Sequence, residues 1–301
     1  MNNWIDRPGS GLWRGEKGIR SGGRIFIFLF FVVIIQAALF GSCSIFYGVL
    51  FKLSSFFPHQ LQAVVYNSYE IIKINFILLV AEVSLLIAAF SATKIMAKIE
   101  DKSISEYYLF SKNKLKLYFF GVFWGAIASF FVFFVLYILF PKSFLVRNSF
   151  YHLYLNLIYD VVLFSLFGIV EEILFRGYAL KTLKMNIGFW PAALITSAAF
   201  MLFHSQKFDS DVFSSNQLIL LFVEYFLAGI FLSCAVRRTG SLFWSIGFHG
   251  IWDFLVNFLT GYLFLGLSLK YNSLVGSEVC IFTVVVGIFL LSFCKKNNVK
   301  S

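Results

Sequence analysis

Charge is scarce in this chain. Asp, Glu, Lys and Arg together make up only 13% of its 301 residues, about half the share found in a soluble domain. Water is therefore not its main solvent. No polar stretch is long enough to form a separate soluble domain, and there is neither a low-complexity segment nor an internal repeat. Cysteine is rare too. Cys43, Cys234, Cys280 and Cys294 all lie within or at the edge of apolar runs, and none forms a C-x-x-C pair. No disulfide framework is implied, and small buried apolar residues are the plain reading. Nothing resembles a nucleic-acid-binding module, so the formal net charge of +10 needs another explanation.

What fills the sequence instead is apolar. Hydrophobic residues reach 59%, in runs long enough to cross about 30 Å of hydrocarbon. Eight spans are expected, near 25–51, 74–97, 118–140, 153–176, 188–205, 217–236, 241–264 and 278–294. The fourth is interrupted by Asn156 and Asp160. The basic stretch ending at Arg24 precedes an apolar run too long for a signal-peptide core, which spans about 7–15 residues. It reads as a retained first helix.

Basic residues set the orientation. With the N-terminus in the cytoplasm, all but Lys52, Lys73, Lys142, Arg147, Lys207 and Lys270 fall on the inside. That bias holds loop by loop, as the positive-inside rule requires. The expected fold is thus all-α, a polytopic transmembrane helix bundle of about eight spans with both termini cytoplasmic. The excess positive charge then faces anionic lipid at the cytoplasmic surface. Four segments follow: a basic N-terminal segment over 1–24, three helices over 25–150, a four-helix core over 151–264, and a last helix with a basic tail over 265–301.

Ionisable side chains in hydrocarbon cost several kcal/mol, so each needs a partner or a task. The densest group is Glu171-Glu172-Ile173-Leu174-Phe175-Arg176-Gly177. Glu172 and Arg176 stand i,i+4 and share a helix face. Glu171 points about 100° away and lacks that cation, a setting that suits a general base. Spacing thus assigns Glu172 a structural role and Glu171 a chemical one. The ordinary alternative is a solvated helix end at the interface.

A second group, Phe200-Met201-Leu202-Phe203-His204, places Phe200 and His204 one turn apart. A capped histidine at a helix end is its plain alternative. The third, His249-Gly250-Ile251-Trp252-Asp253, puts His249 and Asp253 on one face. Its alternative is a pair that only pins helix packing, although a buried charge pair seldom outperforms apolar packing. A hairpin turning near Asn186-Ile187-Gly188 would leave Glu171 and His204 about 23 and 24 Å from the turn, at one level. Asp160, about three turns before Glu171, could line the same cavity or sit solvated at the outer interface. Glu82 and Glu224 could pair with helix-end cations.

These motifs, in this order on separate spans, resemble the CPBP family, which includes the prenyl-protein CAAX endopeptidase and many bacterial membrane proteins. Its pattern is E-E-x-x-x-R, F-x-x-x-H and H-x-x-x-N or H-x-x-x-D. Here these read Glu171-Glu172…Arg176, Phe200…His204 and His249…Asp253, with Phe175-Arg176-Gly177 matching the family's F-R-G. The resemblance covers about 153–264. It implies intramembrane hydrolysis of a peptide bond in a membrane-associated peptide or protein, in a bacterial cell membrane. Glu171 with His204 would activate water, His249 with Asp253 would stabilise the oxyanion, and Glu172 with Arg176 would support the site.

Asp253 departs from the Asn of the prenyl-protease branch. Either it is protonated, or it orients His249 and keeps it a donor; the second is preferred. The preferred mechanism needs no cofactor. The alternative is a catalytic zinc held by Glu171, His204, His249 and Asp253, a plausible nitrogen/oxygen set, although H-E-x-x-H is absent and no cysteine joins the group. Competing functions are a non-catalytic scaffold or bacteriocin-immunity protein of the same fold, and a proton-coupled carrier. No broken-helix repeat supports the carrier.

Overall fold

The computed structural model describes residues 14–15, 18–54, 59–109, 113–139, 141, 150–205, 214–262 and 287. Apart from Gly287, the eighth expected span lies outside these residues, as do Cys280, Cys294 and the C-terminal basic tail. The chain divides into two compact units, Met1–Lys102 and Ser103–Ser301.

In the first unit, the basic N-terminal segment forms a two-residue antiparallel ladder of Arg14–Gly15 (β1) with Gly18–Ile19 (β2). This small departure from an all-α chain is the only sheet among the described residues. Two long helices follow, Ser21–Ser54 (α1) and His59–Ile99 (α2), and they pack on each other. Their near ends are pinned through Glu100. Its buried side chain lies 3.2 Å from Arg24 Nη1 and 2.6 Å from Lys102 Nζ. Further along the pair, Gln36 Nε2 donates to the Ala81 carbonyl at 3.2 Å. Such interhelical polar contacts bind helices where no hydrophobic force acts between them.

In the second unit, a short 3₁₀ turn at Ile104–Tyr107 starts from a capping box between Ser103 and Glu106. Then come Lys114–Leu139 (α3) and Phe150–Glu171 (α4). A π-helical stretch, Glu172–Ala179, continues without a break into Leu180–Ile187 (α5). The rod turns back at Gly188, whose φ of 82° favours glycine. This is the hairpin turn expected from the sequence. Phe189–Phe203 (α6), Ser215–Thr239 (α7) and Phe243–Tyr262 (α8) complete the unit.

Helix α8 is held between α3 and α4 by close approach of backbones. A Cβ at Gly247 would collide with the Tyr118 carbonyl oxygen, and one at Gly121 with that of Trp244. A Cβ at Gly168 on α4 would lie 2.9 Å from the backbone nitrogen of Gly250. Small residues let helix axes close up where lipid tails are as apolar as leucine. The outer face of α3 exposes Phe119, Phe120, Phe123, Phe130 and Phe134, which suits acyl chains and not water.

Among the described residues, four helices are long and apolar enough to cross a membrane: Ser21–Ile45, Phe76–Ile99, Lys114–Ile138 and Ser215–Thr239. Phe189–Phe203 is apolar but shorter. This is a multi-pass membrane protein.

The glycine contacts make a direct prediction. Gly247→Ala overpacks the α3–α8 seam and lowers stability by about 1–3 kcal/mol. Gly41→Ala on α1, where nothing lies within 4 Å of the new methyl group, leaves stability unchanged or slightly raised. Unfolding of the two purified variants in detergent, against the parent protein, checks both.

Candidate active site

The doubled glutamate falls where the helix changes pitch. Helix α4 ends at Glu171 and the π stretch begins at Glu172. The wider turn is seen in the Leu180 N–H, which reaches the Phe175 carbonyl five residues back. Single π turns are uncommon and frequently lie at functional sites. Glu172 and Arg176 nevertheless keep the contact expected from their spacing, with Arg176 Nη1 donating to Glu172 Oε1 at 2.8 Å.

Glu172 is fully buried and Arg176 is 1% exposed. The guanidinium is also fixed from two other helices. Its Nη2 donates to the Gly229 carbonyl of α7 at 3.3 Å, and its carbon lies 4.4 Å from the Phe200 ring centroid of α6. The second contact of Glu172 was not foreseen from the sequence. His249 Nδ1 of α8 lies 3.2 Å from the same Oε1. Glu172 therefore ties Arg176, its neighbour one turn away, to His249 of another helix.

Glu171 lies 8% exposed between two imidazoles. Its Oε1 is 3.5 Å from His204 Nε2, and its Oε2 is 3.6 Å from His249 Nε2. Oε2 is buried with no hydrogen-bond partner. His204 caps the end of α6, and its Nδ1 lies 2.9 Å from the Phe200 carbonyl. A carbonyl only accepts, so Nδ1 carries the proton and Nε2 is turned toward Glu171. In His249, Nδ1 faces Glu172 while Nε2 faces both Glu171 and Asp253 Oδ2, the latter at 3.4 Å. Residues from three separate segments thus converge: Glu171, Glu172 and Arg176; His204; His249 and Asp253.

Ring packing holds the imidazoles in place. Phe200 lies 4.5 Å from the His204 ring and 5.8 Å from that of His249. Tyr225 of α7 stacks on His204 at 4.5 Å, with planes 24° apart. No spacing rule links residues 204 and 225, so the sequence carries no local signal for that contact. Asp160 is half-buried on α4 and joins none of these contacts. Glu224 lies beside Tyr225 on α7, and Glu82 belongs to the first unit.

Among the described residues, no group of three or more His, Cys, Asp or Glu is disposed to hold a metal ion.

Residues 155–255 match the family model Rce1-like, described as type II CAAX prenyl endopeptidase Rce1-like. The matched segment contains all six motif residues and supports the CPBP, or CAAX-protease, family, which is a protease family. No curated protein matches the chain.

Glu172→Ala strands a guanidinium and an imidazole in the buried bundle, and costs about 3–5 kcal/mol of stability. Asp253→Asn, at a side chain 29% exposed, changes it by less than about 1 kcal/mol. Thermal or denaturant unfolding of both variants in one detergent compares the two costs.

Proposed function

We propose that this chain is an intramembrane endopeptidase that cleaves a membrane-associated peptide or protein by glutamate-activated water. The observation that carries the reading is the Glu171 carboxylate lying between His204 Nε2 and His249 Nε2, with one oxygen lacking a donor. A water seated against Glu171 and His204 meets two acceptors and can lose a proton to them as it attacks. The new carbon–oxygen bond turns the scissile carbonyl into an oxyanion. His249 donates from Nε2 to that oxyanion, while Glu172 and Asp253 hold its ring. Collapse breaks the carbon–nitrogen bond, and the proton taken from water passes to the leaving amine.

Glu172 and Arg176 position this site and do not react. The surrounding bundle is read as eight spans with both ends in the cytoplasm of a bacterial cell, and with anionic lipid against its basic face. The four-segment division drawn from the sequence goes with that reading: a catalytic core over 151–264, flanked by three helices before it and one after.

Glu171→Gln and His204→Ala each lower cleavage by about 10²–10⁴-fold, the usual worth of a general base. Peptidomes of cells carrying parent or variant protein measure this as lost new termini. Identical termini in all three strains would leave a binding or immunity role in place of catalysis. Activity of the purified protein is expected to survive prolonged treatment with a strong zinc chelator. Loss on chelation, with return on adding zinc, would replace this mechanism by the zinc-dependent one.

A further inference from the structure

One end of the second unit gathers cations without an acid. Lys181 and Lys184 come from α5, and Arg237 and Arg238 from the last turn of α7. Among the described residues, none of the four has a carboxylate partner. Their neighbours are aromatic instead. Lys184 Nζ donates to Tyr108 Oη at 3.2 Å, and Lys181 Nζ lies 5.4 Å from the same ring. The Arg237 guanidinium lies 4.5 Å from the Phe189 ring and 5.7 Å from that of Trp190, at the start of α6. Burial, and then the charge of Arg237, hold the Lys184 ammonium below the usual lysine range. Arg238 Nη1 is buried with no hydrogen-bond partner.

Like charges brought together repel, and the ring contacts and helix C-termini beside them supply only partial negative charge. An anion that spans Lys184 and Arg237 removes the penalty. The surroundings say which anion. Met185, Ile187 and Trp190 are exposed beside the cations. A free phosphate or an acidic soluble protein would leave these side chains in water. Tryptophan and cations at the ends of apolar helices instead mark the level of lipid headgroups. The planar guanidinium suits bidentate contact with phosphate, and the lysine adds a point charge.

We propose that Lys184 and Arg237, flanked by Trp190, form a binding site for the phosphate headgroup of an anionic phospholipid. The acyl chains lie along Met185, Ile187 and the start of α6. The site rests on the membrane setting and on these contacts, and is independent of the peptidase chemistry.

The test uses the full chain in a neutral detergent, with thermal unfolding followed as lipid is added. Phosphatidylglycerol raises the midpoint, whereas phosphatidylcholine and inorganic phosphate do not. In the Lys184→Gln/Arg237→Gln double variant the half-saturating phosphatidylglycerol rises at least about tenfold, as expected on losing charge-assisted contacts. Lys94→Gln/Lys98→Gln, which removes two exposed cations of α2, leaves it unchanged. Arg237 is exposed, so Arg237→Gln alone keeps the fold and gives a weaker effect of the same sign should the double variant not fold. The site is overturned by an unchanged phosphatidylglycerol response in the variants, or by equal weakening in the Lys94/Lys98 pair. A midpoint shift reproduced in full by inorganic phosphate overturns the lipid as its occupant.

Discussion

One buried oxygen organises this protein. Glu172 Oε1 receives Arg176 from its own helix and His249 from α8. Both partners are then committed elsewhere, Arg176 to the backbone of α7 and the ring of Phe200, and His249 to Glu171 and Asp253. A charge so far from water is tolerated only when paired and hydrogen-bonded, so this contact fixes the rotation of each helix it touches. Rotating α8 by one residue position, about 100°, would withdraw His249 from Glu172 and leave the buried carboxylate to Arg176 alone. Because Nδ1 of His249 is held by Glu172, Nε2 is turned toward Glu171. The structural glutamate therefore aims the donor at the chemical one.

Two adjacent acids in an apolar helix repel, and the structure separates them by direction rather than by distance along the chain. Glu172 points at cation and donor, while Glu171 points at two imidazole nitrogens. The pitch changes between them, with α-helix behind and a π turn ahead. A π turn accommodates an extra residue, at the cost of poorer packing along the axis. It survives here in a stretch whose side chains are almost all buried, where Arg176 and Glu172 bind the widened turn to three other helices.

Much of this was legible in the sequence, and the parts that were not share a physical cause. Apolar run length pointed to an all-helical membrane bundle, and four of the described helices are long and apolar enough to cross a membrane. The Glu172–Arg176 and His249–Asp253 contacts follow from helical periodicity alone. So does the turn at Gly188, where a positive φ selects glycine. What periodicity cannot supply is contact between distant segments. Glu172 and His249 are 77 residues apart, and sequence reasoning gave the glutamate only its neighbour. The stacking of Tyr225 on His204 and the reach of Arg176 to the Gly229 carbonyl are of the same kind. The π turn was invisible because no residue type demands it. A signal for the seams of α8 did exist, in Gly121-x-x-x-Gly125 and Gly247 for α3 and in Gly250 for α4. Small residues at these spacings mark helix contact in lipid, although they do not say which helix is met.

Packing and polarity divide the work of placing α8. Glycine contacts set how near the axes come, and the charge network sets which way the helix turns. Both are written into a single stretch of seven residues. Gly247 and His249 point about 200° apart, so the glycine meets Tyr118 of α3 while the imidazole faces the opposite way, toward the glutamates. Gly250 is about 100° from His249 and meets α4 beside Gly168. Asp253 returns to within about 40° of His249 and flanks the same ring. A larger side chain at either glycine would push α8 outward, and the 3.2 Å contact between His249 Nδ1 and Glu172 would open. The close packing of backbones in lipid is thus a condition for the charge network, and the network in turn supplies the rotation that apolar surfaces alone leave undetermined.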